Sequence, residues 1–558
     1  MRHEGDLLIL HCLIESISYI RQAFKSRSIH VLICCCLCFF SSESVSETLF
    51  VNVTDSVGLK FIHGGGIDKH VPAAVNGSGC AFSDYDSDGD LDIYLINTAE
   101  PFLDADDPQP SNLLFQNNGA GNFKDVTKFA QVGDTGWGMG CAFADYDNDG
   151  DQDLYVSNDQ ANVFYSNQGL GIFKRSSSRV GGVGDQRFGS SVAWVDYDKD
   201  GYLDLYVANY FDQSRMPIGL ETFFPYDFLG QSNILYMNTR DGRFMDVTDS
   251  AGVGGGFHLT LGVAWADYDN DGDQDLYLAN DTDQNILYRN NGDATFTNTN
   301  NADQRSHTGD IRGGMGITWG DYDNDEDLDL FVTNWLDENN VLYRNNGDGT
   351  FTDVSAQSKV FESGLGKTCW GTEFFDYDND SDLDLYIVCG HIDPPSWEMP
   401  GGQEDIFLEN NGDGTFTDIS PIVGVTKLGK LLGRGLAVGD YDKDGDLDVL
   451  LSNCGQQAVL LRNEGGNDNH WLHLKLIGST SNRDAIGARV KLTSNQQNQI
   501  REVISGSSYL SQSSLDLEFG LGQAEKVDLV EIRWPSGITQ TLRDLAVNQH
   551  LVIKEERQ

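Results

Sequence analysis

From Phe50 onward, short apolar strings alternate with polar turns, and within each string the apolar positions recur every second residue. The string Leu-Tyr-[Val/Leu]-x-Asn stands at 154 to 158, 205 to 209 and 276 to 280, and its alternation predicts a strand. A second short strand precedes each copy, as in Gly140 to Ala144 or Val263 to Ala266. A further phrase follows, Leu-Tyr-Arg-Asn-Asn-Gly-Asp-Gly-Thr-Phe-Thr-Asp-Val-Ser from Leu342 to Ser355, and it recurs from Leu114, Leu287 and Phe407. Asn-Gly and Asp-Gly between two apolar runs are the strongest short hairpin signal. The pattern therefore predicts a repeating unit of two hairpins, four strands in all.

The turn of the first hairpin in each unit carries the chemistry. It reads D-Y-D-x-D-x-x-x-D, seven times over. The carboxylates at alternate positions are Asp84, Asp86, Asp88, Asp90 and Asp92, then Asp145, Asp147, Asp149, Asp151 and Asp153. The third loop has Asp196, Asp198, Asp200 and Asp204, with Tyr202 at position 7, where the backbone carbonyl is the ligand. The fourth has Asp267, Asp269, Asp271, Asp273 and Asp275, and the fifth Asp321, Asp323, Asp325, Asp327 and Asp329. The last two have Asp376, Asp378, Asp380, Asp382 and Asp384, then Asp440, Asp442, Asp444, Asp446 and Asp448. Oxygens from positions 1, 3, 5 and 9, with the carbonyl of position 7, suit a hard cation that takes six to eight oxygen ligands, and Ca²⁺ is the expected ion at about seven sites. A merely solvated acidic face would not repeat this spacing. Position 6 is glycine in five copies and Glu326 or Ser381 in the other two, which are expected to hold their ion least well. No EF-hand is implied, because no helices flank the loop and position 12 carries no bidentate glutamate.

Successive first aspartates lie 61, 51, 71, 54, 55 and 64 residues apart, so a core of constant length carries variable loops. Four-stranded units in such a series are the blades of a β-propeller. The seventh unit stops at Val459 to Gly465 without its closing strand, and a matching strand, Phe50-Val-Asn-Val-Thr54, stands at the front of the chain. Pairing the two closes a ring and removes its exposed edges. The expected fold is all-β: a seven-bladed propeller over residues 48–465, then a small β-sandwich or barrel-like domain over 466–558. Gly465 to Asn469 reads as an interdomain stretch, so the tail is expected to be separable.

These loops and hairpins resemble the FG-GAP/VCBS repeats of integrin α-subunit heads. The tail segments Asn469 to Leu476, Ala485 to Val490, Val527 to Gly537 and Leu545 to Ile553 resemble the ASPIC/UnbV domain. The combination is similar to the cartilage acidic protein family. That resemblance implies a calcium-dependent extracellular adhesion or matrix-binding role, and carries over no catalytic residue.

Net charge is −49, from 86 acidic and 37 basic residues. Seven Ca²⁺ would bring it only to −35, which disfavours nucleic acids and anionic membranes as partners. Residues 1–46 have the layout of a secretory signal, with Arg21, Lys25 and Arg27 before a twelve-residue apolar run from Ile29 to Phe40. That run is too short to span a bilayer. Secretion, export or a cell-surface location is therefore expected. Five cysteines follow the signal, Cys80, Cys141, Cys369, Cys389 and Cys454, without zinc-like spacing, and their pairing stays open.

Two ligand-binding readings remain. Nine residues before the first aspartate of four consecutive units stand Arg187, His258, Arg312 and Lys367, an arc suited to an anionic group or to local ion pairs. Insertions after the second strand, at 98–111, 210–231 and 390–404, emerge on one face of a ring. They carry aromatic residues, together with His391 and Trp397, that either bind a partner or pack the loops down. An extracellular protein or an acidic glycan fits either surface. No nucleophile or phosphate motif appears, so a calcium-dependent polysaccharide lyase or hydrolase stands as the alternative.

Overall fold

The computed structural model describes residues 49–557 apart from 66–71, 100–108, 216–224, 226, 301–307, 310, 337, 393–401 and 466–468. The candidate signal, Trp397 and residues 216–224 and 226 of the aromatic insertion lie outside the described residues.

Seven antiparallel four-stranded sheets follow one another along the chain. Their inner strands are Cys80–Ser83, Trp137–Ala144, Gly189–Val195, Thr260–Ala266, Ile317–Gly320, Cys369–Phe375 and Gly433–Gly439. Each inner strand packs beside the next, and the seventh returns to the first, so the sheets form a ring of blades. The strand Phe50–Asn52 pairs antiparallel with Val459–Asn463, Phe50 opposite Asn463, and completes the seventh sheet. Between blades, buried aromatic and branched side chains fill the space. Tyr146, for example, meets Phe164 and Phe244 with ring centroids at 5.0 and 5.6 Å.

The tail forms two sheets. One joins Leu517–Gly522, His470–Ile477 and Gln549–Lys554; the other joins Gln497–Glu502, Arg489–Ser494, Lys526–Arg533 and Thr539–Ala546. Leu472, Leu474, Val490, Leu492, Phe519, Val530 and Ile532 are all buried in one core shared by the two sheets, as in a sandwich.

The expectation of a separable tail needs correction. Residues 504–514, between two strands of the sandwich, run among the inner strands of the propeller. Ser508 exchanges backbone hydrogen bonds with Ile317 at 2.8 and 2.9 Å, Gln512 N donates to Cys80 O at 3.0 Å, and Cys141 N donates to Leu510 O at 3.3 Å. Side chains continue the pattern: Ser508 Oγ accepts from Thr372 N, Ser511 Oγ from Cys80 N, and Gln512 Oε1 from Phe143 N. Tyr509 and Leu510 are fully buried among Met139, Phe188, Tyr210, Leu261, Met315 and Trp370. Gly79 permits the approach, since a Cβ there would lie 2.0 Å from Leu510 O. The physical reason is general: edge N–H and C=O groups around the axis of a ring need partners, and this segment supplies them. Cys369 and Cys389, Cα partners at the start of the sixth inner strand and the end of its neighbour, form a disulfide, while Cys80, Cys141 and Cys454 remain buried thiols.

Glu373 faces the same segment, accepting from Thr318 Oγ1 at 3.1 Å and Ser507 Oγ at 2.8 Å. Burial pushes its pKa up to about 7 against these hydrogen bonds. The folded chain then holds a proton that the unfolded chain releases near the ordinary glutamate value, so this residue costs stability as pH rises from about 4.5 to 7. Glu373→Gln is expected to melt like the wild type at pH 4.5 and higher than it at pH 8; parallel melting curves across that range would refute the assignment. Tyr509→Ala is expected to destabilise the whole unit by about 3–5 kcal/mol in denaturant unfolding, whereas an independent tail would lose its own transition and leave that of the propeller unchanged.

Candidate metal centres

Each D-Y-D loop lies between an inner strand and its neighbour, and a fixed hydrogen-bond scheme sets its shape. The position-1 carboxylate accepts from the backbone ahead of it. Asp145 takes Asp149 N at 3.0 Å and Gly150 N at 2.7 Å, and Asp376 takes Asp380 N at 3.0 Å and Ser381 N at 2.8 Å. The position-5 carboxylate accepts from the position-7 N–H in all seven loops, at 2.9–3.0 Å. This winding directs the remaining oxygens inward. Carboxylate oxygens of Asp84, Asp86 and Asp92 lie within 4.8 Å of one another, as do those of Asp145, Asp147 and Asp153 and of Asp196, Asp198 and Asp204.

These clusters could hold a metal ion, and two observations fit that role. Position-3 oxygens of Asp86, Asp198, Asp323, Asp378 and Asp442 are buried without any hydrogen bond, so the scheme leaves a lone pair for another partner. The position-9 aspartates are strained electrostatically. Burial first, and then the neighbouring carboxylates, push Asp92 up to about 9 and hold Asp153, Asp204, Asp275, Asp329, Asp384 and Asp448 well above the carboxylate range. A cation at the centre removes both penalties.

A seam not recognised in the sequence ties each loop to its neighbour. Asn117, Asn167, Asn238, Asn290, Asn345, Asn410 and Asn463 donate their backbone N–H to the position-9 carboxylate of their own blade at 2.7–2.8 Å. Their Nδ2 atoms donate to the position-2 tyrosine carbonyl of the preceding loop at 2.7–2.9 Å, from Asn117 to Tyr441 around to Asn463 to Tyr377. The signal was present, since this asparagine stands in all seven units, but it reads locally as a turn residue.

The tail covers this face. Lys475 Nζ donates to Asp84 Oδ2 at 2.7 Å, Arg533 pairs with Asp267, and Asp484 accepts Asp145 N at 2.7 Å. Glu326 and Ser381 gain a purpose from it. Both adopt left-handed backbone, at φ 74° and 89°; Glu326 binds Lys491 Nζ at 2.7 Å, and Ser381 Oγ donates to Gly520 O at 3.1 Å. The two departures from glycine are docking residues.

The four arc residues turn instead to the loop before the third strand of their own blades. Arg187 Nη1 donates to Ser232 O at 2.7 Å, His258 Nδ1 lies 2.5 Å from Asp283, Arg312 Nη1 donates to Asn339 Oδ1 at 2.6 Å, and Lys367 Nζ donates to Glu404 O at 2.8 Å. His391 is buried beside Trp335, and its carbonyl accepts from Arg434 at 3.3 Å. Tyr210 and Phe211 of the aromatic insertion are fully buried and pack with Phe228 under the loop.

Comparison with known proteins agrees with this architecture. Residues 84–156, 145–207, 267–332, 325–387 and 400–451 match the FG-GAP-like repeat, and residues 478–558 match ASPIC and UnbV. The chain belongs to the FG-GAP-like repeat family. Cartilage acidic protein 1 of Xenopus tropicalis is 27% identical over 541 residues, covering 91% of this chain and 77% of that protein. Its Mus musculus counterpart is 26% identical over 479 residues, covering 82% and 70%. Among solved structures, an Agrocybe aegerita lectin recognising non-reducing terminal N-acetylglucosamine is similar at TM-score 0.36 and 18% identity, over 61% of this chain and 79% of that one. No helix among the described residues is long and apolar enough to cross a membrane.

The asparagine seam generates a test. Asn345→Ala removes donors to Tyr268 O at 2.8 Å and Leu328 O at 3.1 Å and leaves both carbonyls buried. It is expected to cost about 2 kcal/mol or more in denaturant unfolding at saturating calcium. A cost under about 0.5 kcal/mol, the size of an ordinary surface change, would remove the seam from the list of stabilising contacts.

Proposed function

We propose that the protein is a secreted calcium-binding propeller that presents a ligand-binding surface to an extracellular protein or acidic glycan. The observation that carries the calcium reading is the set of position-3 oxygens left buried and unpaired inside rings of carboxylates. Aspartates at positions 1, 3, 5 and 9 of each loop, with the position-7 carbonyl, would hold one Ca²⁺ apiece, about seven in all. The bound ion would supply charge neutralisation and a fixed turn. The two relatives named above, both cartilage acidic proteins, support an extracellular setting.

The working face follows from the tail. Because the sandwich covers the loop side, a large partner has the opposite side to use, where the described ends of the first, third and sixth insertions lie, at Thr98, Phe211 and Gly390. Phe257 and Ile311 are 66% and 73% exposed on that side, the latter next to the Arg312 guanidinium, a mixture of apolar and charged surface suited to a protein or an acidic glycan.

Calcium removal tests the reading directly. With ions quantified before and after chelation, the melting temperature is expected to fall markedly on removal and to return with added Ca²⁺, since a ligand of the folded state alone stabilises by mass action. An unchanged melt after confirmed removal would sink it. A matrix-protein and glycan binding screen with and without calcium then identifies the partner class.

A further inference from the structure

The seventh loop differs from the others in what the tail brings to it. Strands His470–Ile477 and Gln549–Lys554 run parallel with His473 opposite His550, so both imidazoles project from one face of the sheet, with centroids 4.8 Å apart. That face meets Asp440. His473 Nδ1 and His550 Nε2 each lie 3.4 Å from Asp440 Oδ2. We propose that the Asp440 carboxylate, besides being position 1 of the seventh loop, joins His473 and His550 in a second metal centre for a borderline first-row divalent cation of the Zn²⁺ class, at the joint between the seventh blade and the tail.

Three observations carry this. The first is distance. A charge-assisted N–H···O bond would close to about 2.7–2.9 Å, yet both contacts stand at 3.4 Å. Donors around a tetrahedral ion with bonds of about 2.0–2.1 Å are separated by about 3.3–3.4 Å. The second is the charge the site replaces. At Asp84 and Asp267 the tail meets the same Oδ2 atom with a lysine ammonium or an arginine guanidinium. At Asp440 it offers two imidazoles, one of them only 2% exposed. Two adjacent imidazolium ions there would repel each other at one carboxylate, whereas a shared cation supplies the positive charge and uses neutral rings as ligands. The third is donor chemistry. Two nitrogens and one oxygen are softer than the all-oxygen sets of the D-Y-D loops, so the two kinds of site select different ions. All three donors line a cavity of about 510 Å³ with Lys475, Asp516 and Glu518. Glu518 is the register partner of His473 on its other side. The fourth coordination position is therefore open to water or to an anionic group of a small ligand, as in zinc sites that are not closed by protein.

The experiment uses the full chain after signal removal, without a polyhistidine tag and in saturating CaCl₂, so that the outcome is independent of the calcium reading. Titration with ZnCl₂, and with CoCl₂ followed by visible absorption, is expected to show one equivalent bound and the intense d–d bands of tetrahedral cobalt. His550→Ala changes a partly exposed residue and is expected to weaken uptake at least tenfold and abolish those bands while the calcium content stays the same. His473→Gln is expected to do likewise, and circular dichroism verifies its fold. Absence of stoichiometric Zn²⁺ or Co²⁺ uptake by the wild type, or uptake indifferent to His550→Ala, would overturn the proposal and leave the histidines as an ion-pairing contact to Asp440.

Discussion

Convergence of like charges governs this structure. Seven times the chain reverses between two buried strands by wrapping a loop around carboxylates whose oxygens approach within a few ångströms of one another. The backbone N–H groups of the loop satisfy some of these oxygens and leave others buried and unpaired. In water such a cluster would spread apart or take up protons; inside the ring it is held by strands that cannot move independently. The position-9 aspartate sits at the centre of this conflict, because it opens the second strand and is also the anchor for the next hairpin through its asparagine. Loop charge and sheet architecture are thus one problem, and a hard cation is its simplest solution.

The asparagine seam spreads that local solution round the ring. Each Nδ2 reaches the tyrosine carbonyl of the preceding loop, so each turn is tied to the next. The apolar wedges between blades, such as Tyr146 between Phe164 and Phe244, supply burial, while the seam supplies register. With the strand from the front of the chain closing the last sheet, all seven blades have four strands.

The tail uses both faces of the problem it finds. Its sandwich brings lysine, arginine and histidine to outward oxygens of the position-1 aspartates, and its 504–514 segment enters among the inner strands. An appended domain held by one linker would leave the loop face open to partners. A domain with a segment seated among the inner strands covers that face instead.

The sequence by itself determined the repeat, the four strands per unit, the acidic loops and the closing strand, because each is encoded in local spacing that a single segment carries whole. Even so, it ranked Glu326 and Ser381 as weak copies, and gathered Arg187, His258, Arg312 and Lys367 into an arc, from equivalent position alone. Only the tertiary structure decided that the first pair contacts the tail, that the four arc side chains bind their own blades, that Cys369 meets Cys389, and that Tyr509 lies buried among inner strands. Equivalent position in a repeat fixes where a Cα lies but not where a long side chain finds its acceptor. Contacts between residues hundreds apart, such as His473 with Asp440 or Ser508 with Ile317, leave no periodic trace, because each occurs once and depends on how two finished surfaces meet.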